Sequence, residues 1–295
     1  MSNLERRRAL VTGLSGFTGP YVRAELERAG YAVTGPSDDR GRAVNLLDAE
    51  ALAHAVAAAR PDVVVHLAAI SFVAHGDVEA IYRVNIVGTR NLLAALATCP
   101  HAPRSVLLAS SANIYGNAAA AVTDEDTPDA PTNDYAVSKL AMEHMARLWS
   151  DRLPIVIARP FNYSGVGQGE HFLLPKIVAH FRRRAPVIEL GNLDVARDFS
   201  DVRVVARCYA RLIESGRAGT VYNVCSGRAH SLMDVLAMME QISGYMPEIR
   251  VNPAFVRANE VKRLQGARRR LEDAIGPVED MPLMDTLRWM YEADA

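Results

Sequence analysis

Lysine is nearly missing from this chain. Only Lys139, Lys176 and Lys262 stand among 33 basic residues, so the other 30 are arginines. Runs such as 182–184 and 268–270 are therefore expected to be solvated helix faces rather than anion sites. Cysteine is equally scarce: Cys99, Cys208 and Cys225 have no paired spacing, which excludes a disulfide framework and a cysteine metal site. They read as small buried apolar groups. Net charge is also lacking. With 33 basic against 34 acidic residues and no basic arm, nothing offers a broad grip on a phosphate backbone, so no nucleic-acid partner is expected. Long apolar runs are absent as well. No stretch approaches the roughly 20 residues a bilayer span requires, and Arg6, Arg7 and Arg8 are followed only by Ala9, Leu10 and Val11 before Thr12 and Gly13. The expectation is a soluble, cytoplasmic protein with no membrane partner. No internal repeat is visible, and low complexity is limited to alanine-rich helices and a turn at 118–121.

What is present is a large apolar share, 49% of 295 residues, which excludes disorder and leaves room for roughly two core units. Short apolar runs at 9–12, 32–35, 63–67, 105–109 and 155–158 alternate with helical patterns at 21–29, 49–59, 80–97 and 135–149. Parallel strands buried on both faces, with crossover helices between them, give this pattern. The fold class is α/β: a doubly wound, Rossmann-type parallel sheet. The pattern changes after Pro160. A glycine-rich loop leads to an amphipathic stretch at 172–181 and a strand at 187–190, another parallel-type run follows at 221–224, and helices are expected at 232–242 and 284–291. The division expected is a dinucleotide unit of 1–160 and 192–226 with a smaller discontinuous lobe of 161–191 and 227–295. A ligand cleft belongs between them.

Thr12-Gly13-Leu14-Ser15-Gly16-Phe17-Thr18-Gly19 lies between the first strand and the first helix. Glycines there permit a tight turn and close approach to a pyrophosphate on the helix N-terminus. Gly13, Ser15, Gly16, Phe17, Thr18 and Gly19 are thus cofactor candidates. NAD binding usually takes a carboxylate about 20 positions further on, but this chain reads Gly35-Pro36-Ser37-Asp38-Asp39-Arg40. Ser37, Arg40 and Arg42 could accept a 2′-phosphate, so the reading favours NADP(H) and leaves NAD(H) open. Asp48, after Asn45 and Leu46, is either an adenine contact or the N-cap of the next helix.

Tyr135 and Lys139 are four apart at the start of a helix, which stacks phenol and ammonium on one face. A nearby cation stabilises phenolate, so the expectation is a phenol acidic enough to exchange protons near neutrality. Ser111, closing the fourth strand, could donate to a carbonyl or alkoxide oxygen.

Taken with His66-Leu67-Ala68-Ala69, Ser110-Ser111-Ala112-Asn113-Ile114-Tyr115-Gly116 and Arg159-Pro160-Phe161-Asn162, these motifs resemble the extended short-chain dehydrogenase/reductase family, in its nucleotide-sugar branch, over almost the whole chain. The resemblance implies that Ser111, Tyr135 and Lys139 are catalytic. Lys139 would also hold the nicotinamide ribose, and Asn45, Leu46, Leu67, Ala68, Ala69, Tyr135 and Pro160 would contact the cofactor. Residues 190–199 and 255–261 look like the GDP-binding segments of that branch. On the substrate side the resemblance implies Ser71, Ser111, Asn113, Asn162, Lys176, Asn192, Arg197, Arg257 and Glu260. Arg197 and Arg257 are fork donors suited to a diphosphate, and Glu260 can accept from ribose hydroxyls. The chain departs from the branch at Val204, where an acidic residue is usual. A second departure is chemical: two positions before Tyr115, where dehydratases carry a glutamate and fucose-forming epimerase-reductases a cysteine, stands Asn113. An amide takes no proton near neutral pH, so carbon-acid chemistry loses its base. His171 is either a rival acid or base or a surface residue.

The expected activity is hydride transfer from NAD(P)H to C4 of GDP-4-keto-6-deoxy-D-mannose. It would give GDP-D-rhamnose, or GDP-6-deoxy-D-talose from the opposite face. The competing expectations are a GDP-sugar dehydratase or epimerase and a non-catalytic cofactor-sensing module. A homodimer through helices 80–97 and 135–149 is implied by the resemblance, while Trp149 could instead simply pack inside.

Overall fold

The computed structural model describes residues 7–71, 76–117, 120–256 and 261–293. From the amino end, β1 (Arg8–Thr12), α1 (Gly19–Arg28), β2 (Ala32–Thr34), α2 (Ala49–Ala59) and β3 (Val63–His66) come first. They are followed by α3 (Val78–Tyr82), α4 (Thr89–Thr98), β4 (Ser105–Ala109), α5 (Asp134–Arg147) and β5 (Ile155–Pro160). The next elements are β6 (Asn162–Ser164), α6 (Leu173–Arg182), β7 (Val187–Leu190), β8 (Ala196–Asp201), α7 (Val202–Ser215) and β9 (Val221–Val224). β10 (Ala229–Ser231), α8 (Leu232–Ser243), β11 (Glu248–Val251), β12 (Arg263–Leu264), α9 (Arg269–Ile275) and α10 (Leu283–Glu292) complete the chain.

Six parallel strands form the main sheet in the order β2-β1-β3-β4-β5-β9. Residues of β3 are buried throughout, as a strand covered on both faces requires. One face packs Val22, Leu26, Val205, Tyr209 and Leu271 from α1, α7 and α9. The other packs Leu52, Leu92, Leu96, Met142 and Ala146 from α2, α4 and α5. The order reverses direction at β1, which has β2 on one side and β3 on the other. That switch point opens a crevice at the carboxyl ends of β1 and β3, where a doubly wound sheet binds its ligand.

A second core gathers α6, α8 and α10 around Leu174, Phe181, Leu236 and Leu287. A small sheet of β10, β8 and β12, with β6 paired to β8, lies alongside. Residues 196–201, expected from the sequence in the dinucleotide unit, thus form a strand of this smaller sheet. The strand's last four residues are all buried, and Asp198 lies under the turn at 226–227, accepting from Ser226 Oγ at 2.6 Å and from the Ser226 and Gly227 amides at 2.8 and 2.9 Å.

A second difference concerns the helix expected over 80–97. It is broken into α3, a π-helical stretch Arg83–Gly88, and α4. Asn85 is turned inward. Its amide clamps both backbone groups of Ile70 at 2.9 and 3.1 Å and donates to Ser138 Oγ at 2.9 Å, contacts a regular helix would not reach. Trp149 is half-buried against the second face of the sheet, with Arg152 over its ring, and Leu148 beside it is 81% exposed. Val204, at the chain's departure from the branch, is simply buried in the first core.

Candidate active site

The loop after β1 turns at Gly13, whose φ of +76° lies in the left-handed region. A Cβ there would stand 2.9 Å from the Ala68 nitrogen, so only glycine lets the loops after β1 and β3 meet. α1 starts immediately behind with no acidic residue in its first turn and no side-chain cap, because the Thr18 hydroxyl is bonded to the Tyr163 phenol at 2.9 Å. The positive end of the helix faces a recess of about 310 Å³ lined by Ser15, Gly16, Phe17, Pro20, Tyr21, Val166 and Gly167. Missing Cβ atoms, uncapped helix and recess together fit a dinucleotide pyrophosphate.

After β2, Asp38 is committed to its own loop. It accepts from the Arg40 and Arg42 amides at 3.0 and 2.9 Å and from Arg42 Nε at 2.8 Å. Those bonds, chiefly from Arg42, hold the carboxyl below its usual range. Arg42 is therefore spent, whereas Arg40 is exposed and makes no ion pair among the described residues. Ser37 is exposed on the same loop. Asp48 caps α2 through Ala51 N at 3.0 Å, the structural one of its two expected roles. Asn45 Oδ1 accepts from Leu47 N, and Leu46 packs beneath Gly88.

α5 begins at a cap in which Asn133 accepts from Ala136 N at 2.9 Å, and this sets Tyr135 and Lys139 on its buried face, 8% and 4% exposed. Ser111, 5% exposed at the end of β4, is hydrogen-bonded to the Tyr135 phenol and accepts from Asn113 N at 3.2 Å. Lys139 Nζ donates to the Ala109 carbonyl at 2.8 Å. The expectation of an ammonium-acidified phenol is corrected here. Burial pushes Tyr135 well above the ordinary phenol value, Ser111 alone pulls it down, and Tyr163 opposes that pull. The physical reason is orientation: Lys139 is turned toward Ala109 and Glu143, while the phenol faces Ser111 and Tyr163. Burial also brings Lys139 down to about 8, against the attraction of Glu143.

Sequence reasoning missed the groups behind these three. His66 is buried and bonded on both ring nitrogens, Nδ1 to Thr12 Oγ1 at 2.7 Å and Nε2 to Thr89 Oγ1 at 2.8 Å. Thr89 donates its own proton to the Asn85 carbonyl, and Thr12 Oγ1 already accepts from Ala68 N. The hydroxyl directions therefore leave Nε2 as donor and Nδ1 as acceptor, a neutral imidazole. Burial, reinforced by Lys139, brings its pKa to about 3. Tyr163, stacked against Phe17 with ring centroids 6.0 Å apart, was also unassigned. The Arg-Pro-Phe-Asn motif stopped one residue short of it.

On the second lobe, Asn162 opens β6 opposite Phe199 and is half-buried. Asn192 and Arg197 lie on the segment entering β8, Arg197 donating to the Ala196 carbonyl at 3.0 Å. Lys176 donates to the Glu189 carbonyl at 2.7 Å and covers the Phe255 ring at 4.2 Å. Ser71 is exposed, and Pro160 closes β5. A recess of about 540 Å³ beside the segment is lined by Leu193, Asp194, Val195, Ala196, Ser231, Met233, Lys262 and Arg263, with none of Ser111, Tyr135 or Lys139. Arg257 and Glu260 lie outside the described residues. Among the described residues no group of carboxylates, histidines or cysteines could hold a metal ion, and no helix is long and apolar enough to cross a membrane.

This chain belongs to the NAD dependent epimerase/dehydratase family, whose model matches residues 9–225. Within it, the chain is similar to the nucleotide-sugar branch of extended short-chain reductases. It is 35% identical to GDP-6-deoxy-D-mannose reductase of Pseudomonas aeruginosa, over 96% of this chain and 95% of that one. It is 34% identical to GDP-6-deoxy-D-talose 4-dehydrogenase of Aggregatibacter actinomycetemcomitans over 90% of each. Among solved structures, RMD from Pseudomonas aeruginosa, complexed with NADPH, superimposes with a TM-score of 0.88 at 33% identity over 97% of both chains. A Burkholderia cenocepacia structure named only provisionally, as an epimerase, gives 0.90 at 57% identity over 97% of both. The fold is thus the Rossmann-type fold of NAD(P)-dependent enzymes.

Proposed function

We propose that the chain is an NAD(P)H-dependent oxidoreductase that reduces the C4 ketone of GDP-4-keto-6-deoxy-D-mannose to GDP-D-rhamnose, which is GDP-6-deoxy-D-mannose. The observation that carries this reading is the hydrogen-bonded pair of buried side chains Ser111 and Tyr135 beside Asn113, which cannot act as a carbon base. Similarity to the Pseudomonas aeruginosa reductase along nearly the whole chain supports the substrate class.

The loop at Gly13, Gly16 and Gly19 would hold the pyrophosphate of NAD(P)H, which when bound would supply the hydride. Ser111 donates a hydrogen bond to the C4 oxygen as it gains charge. Tyr135 then delivers its proton to that oxygen. A buried, high-pKa phenol suits this direction: it keeps its proton until an alkoxide, a far stronger base, forms beside it. Lys139, fixed by Ala109, holds the nicotinamide ribose and keeps a positive charge under the site. Arg40 and Ser37 receive a 2′-phosphate, which favours NADP(H) with NAD(H) as the alternative. Ser71, Asn113 and Asn162 meet the sugar and diphosphate, and Asn192, Lys176, Arg197, Arg257 and Glu260 hold the GDP.

Opposite-face delivery, giving GDP-6-deoxy-D-talose, is the second reading, since the Aggregatibacter relative is almost equally similar. The unit that holds the cofactor is 1–160 with the 202–226 return, and the remainder seats the sugar. The working form is a cytoplasmic homodimer, through α4 and α5, whose product enters a polysaccharide. Incubation with the keto sugar and each coenzyme, followed by NMR of the product, decides between rhamno and talo configurations. Tyr135→Phe should lower kcat by about 10²–10⁴ with NADPH binding retained. Full velocity in that variant, or solvent deuterium at C5 of the product, rejects the mechanism.

A further inference from the structure

One charged group in the interior has no part in the mechanism above. Glu143 is fully buried, one helical turn beyond Lys139. Its carboxylate accepts from Ser110 Oγ at 2.5 Å, from Arg159 Nε at 2.9 Å and from Arg159 Nη2 at 2.7 Å. Arg159, itself 3% exposed, also donates to the Tyr115 hydroxyl at 2.9 Å, which passes its proton to Asn223 Oδ1 at 2.7 Å. A buried ion pair is weak evidence for stability, because apolar residues of similar volume often serve as well. Its location is informative instead. Tyr135, Lys139 and Glu143 are successive i, i+4 positions on one face of α5, and Ala109, Ser110 and Ser111 are successive residues at the end of β4. Lys139 is bonded to Ala109 and Glu143 to Ser110, so two turns of helix are fastened to two residues of strand. The third residue, Ser111, is thereby left opposite the phenol.

We propose that Glu143 is a positioning residue of the hydride-transfer site: held by Arg159, its carboxylate registers α5 against Ser110, the residue between β4 and Ser111, and supplies the fixed negative charge that keeps Lys139 an ammonium. This rests on the reductase reading for the role of Lys139. The groups facing Lys139 are Glu143 on its own helix, His66 from β3 and the Ala109 carbonyl from β4. Since His66 is neutral, Glu143 is the single anion among them. Arg147 and Arg159 pair with Glu143.

Only three lysines occur in the chain, so protein labelled with [ε-¹³C]lysine gives three resolvable side-chain signals, assigned with Lys176→Arg and Lys262→Arg. Lys139 should titrate near pH 8 in the wild type. In Glu143→Gln its midpoint should fall by about one pH unit, and the alkaline limb of NADPH oxidation should fall with it. The double variant Glu143→Gln/Arg159→Met removes the unpaired guanidinium, so it should regain most of the lost Tm while the Lys139 midpoint stays low. A wild-type midpoint in Glu143→Gln overturns the proposal, as does a double variant that restores both Tm and midpoint. Should the wild-type enzyme leave the keto sugar unreduced, the reductase reading fails while the NMR titration still decides the role of Glu143.

Discussion

A buried imidazole with both nitrogens bonded is a liability in acid. His66 titrates near 3 in the fold against 6.5 when unfolded, so the unfolded chain binds the extra proton throughout that window. Stability is therefore fully present above pH 6.5 and is lost as pH falls toward 3, at up to about 1.4 kcal/mol per pH unit. Tm measured from pH 7 to pH 4 should fall steeply, and more shallowly in His66→Gln; equal slopes would show that another group governs acid unfolding. Arg40 is a second residue whose consequence can be isolated, because Asp38 neutralises Arg42 and leaves Arg40 alone on its loop. Arg40→Ala should weaken NADPH at least about tenfold and leave NADH nearly unchanged. Parallel titrations with the two coenzymes check this, and an equal loss for both would place the 2′-phosphate elsewhere.

At the scale of elements, the π-helical stretch between α3 and α4 depends on one side chain. Asn85 serves two backbone groups of Ile70 and the hydroxyl of Ser138, all part-buried or buried. Asn85→Leu leaves both Ile70 groups unpaired, while Ser138 keeps its bond to the Tyr135 carbonyl, and should cost about 2–4 kcal/mol, with a matching fall in the urea midpoint; a change below about 1 kcal/mol would mean a regular helix forms instead. The sequence carries no sign of this break, since apolar spacing over 80–97 suits an unbroken helix and the inward Asn85 is satisfied only by Ile70 and Ser138, which are remote in sequence. The strands of the main sheet and the loop at Gly13 were legible because their signals are local. Asp48 was legible in kind but not in role, its cap needing a backbone geometry that composition does not reveal. The state of Tyr135 was misjudged for a related reason. Spacing places Lys139 beside it, but whether the ammonium faces the phenol depends on Ala109 and Glu143, which spacing does not show.

At the scale of the molecule, the two halves of the candidate site stand on different cores. Gly13, Ser111, Tyr135 and Lys139 are carried by the six-stranded sheet, whereas Asn192 and Arg197 belong to the segment that enters the smaller sheet and packs on α6, α8 and α10. Side chains cross between them at Trp289, which meets the Tyr21 ring and lies under the Arg203 guanidinium, and at Thr286, which donates to Asp201 Oδ2 at 2.9 Å. Tyr21 also donates to the Val166 carbonyl at 2.7 Å, Thr18 bonds Tyr163, and Phe161, Cys225 and Leu264 share a small apolar cluster with Tyr115. Because the two sets of site residues stand on different cores, cofactor affinity and sugar-nucleotide affinity should be separable by mutation. Arg197→Met keeps much of the aliphatic stem while deleting the fork donor, so the substrate diphosphate loses a charge-assisted contact of about 1.5–3 kcal/mol. KM for the GDP-keto sugar should rise about ten- to a hundredfold, with kcat and the NADPH dissociation constant within about twofold of wild type. A fall in kcat at unchanged KM would instead mean that Arg197 acts only in the transition state. Parallel weakening of NADPH would show that the cores are coupled through the Thr18–Tyr163 bond.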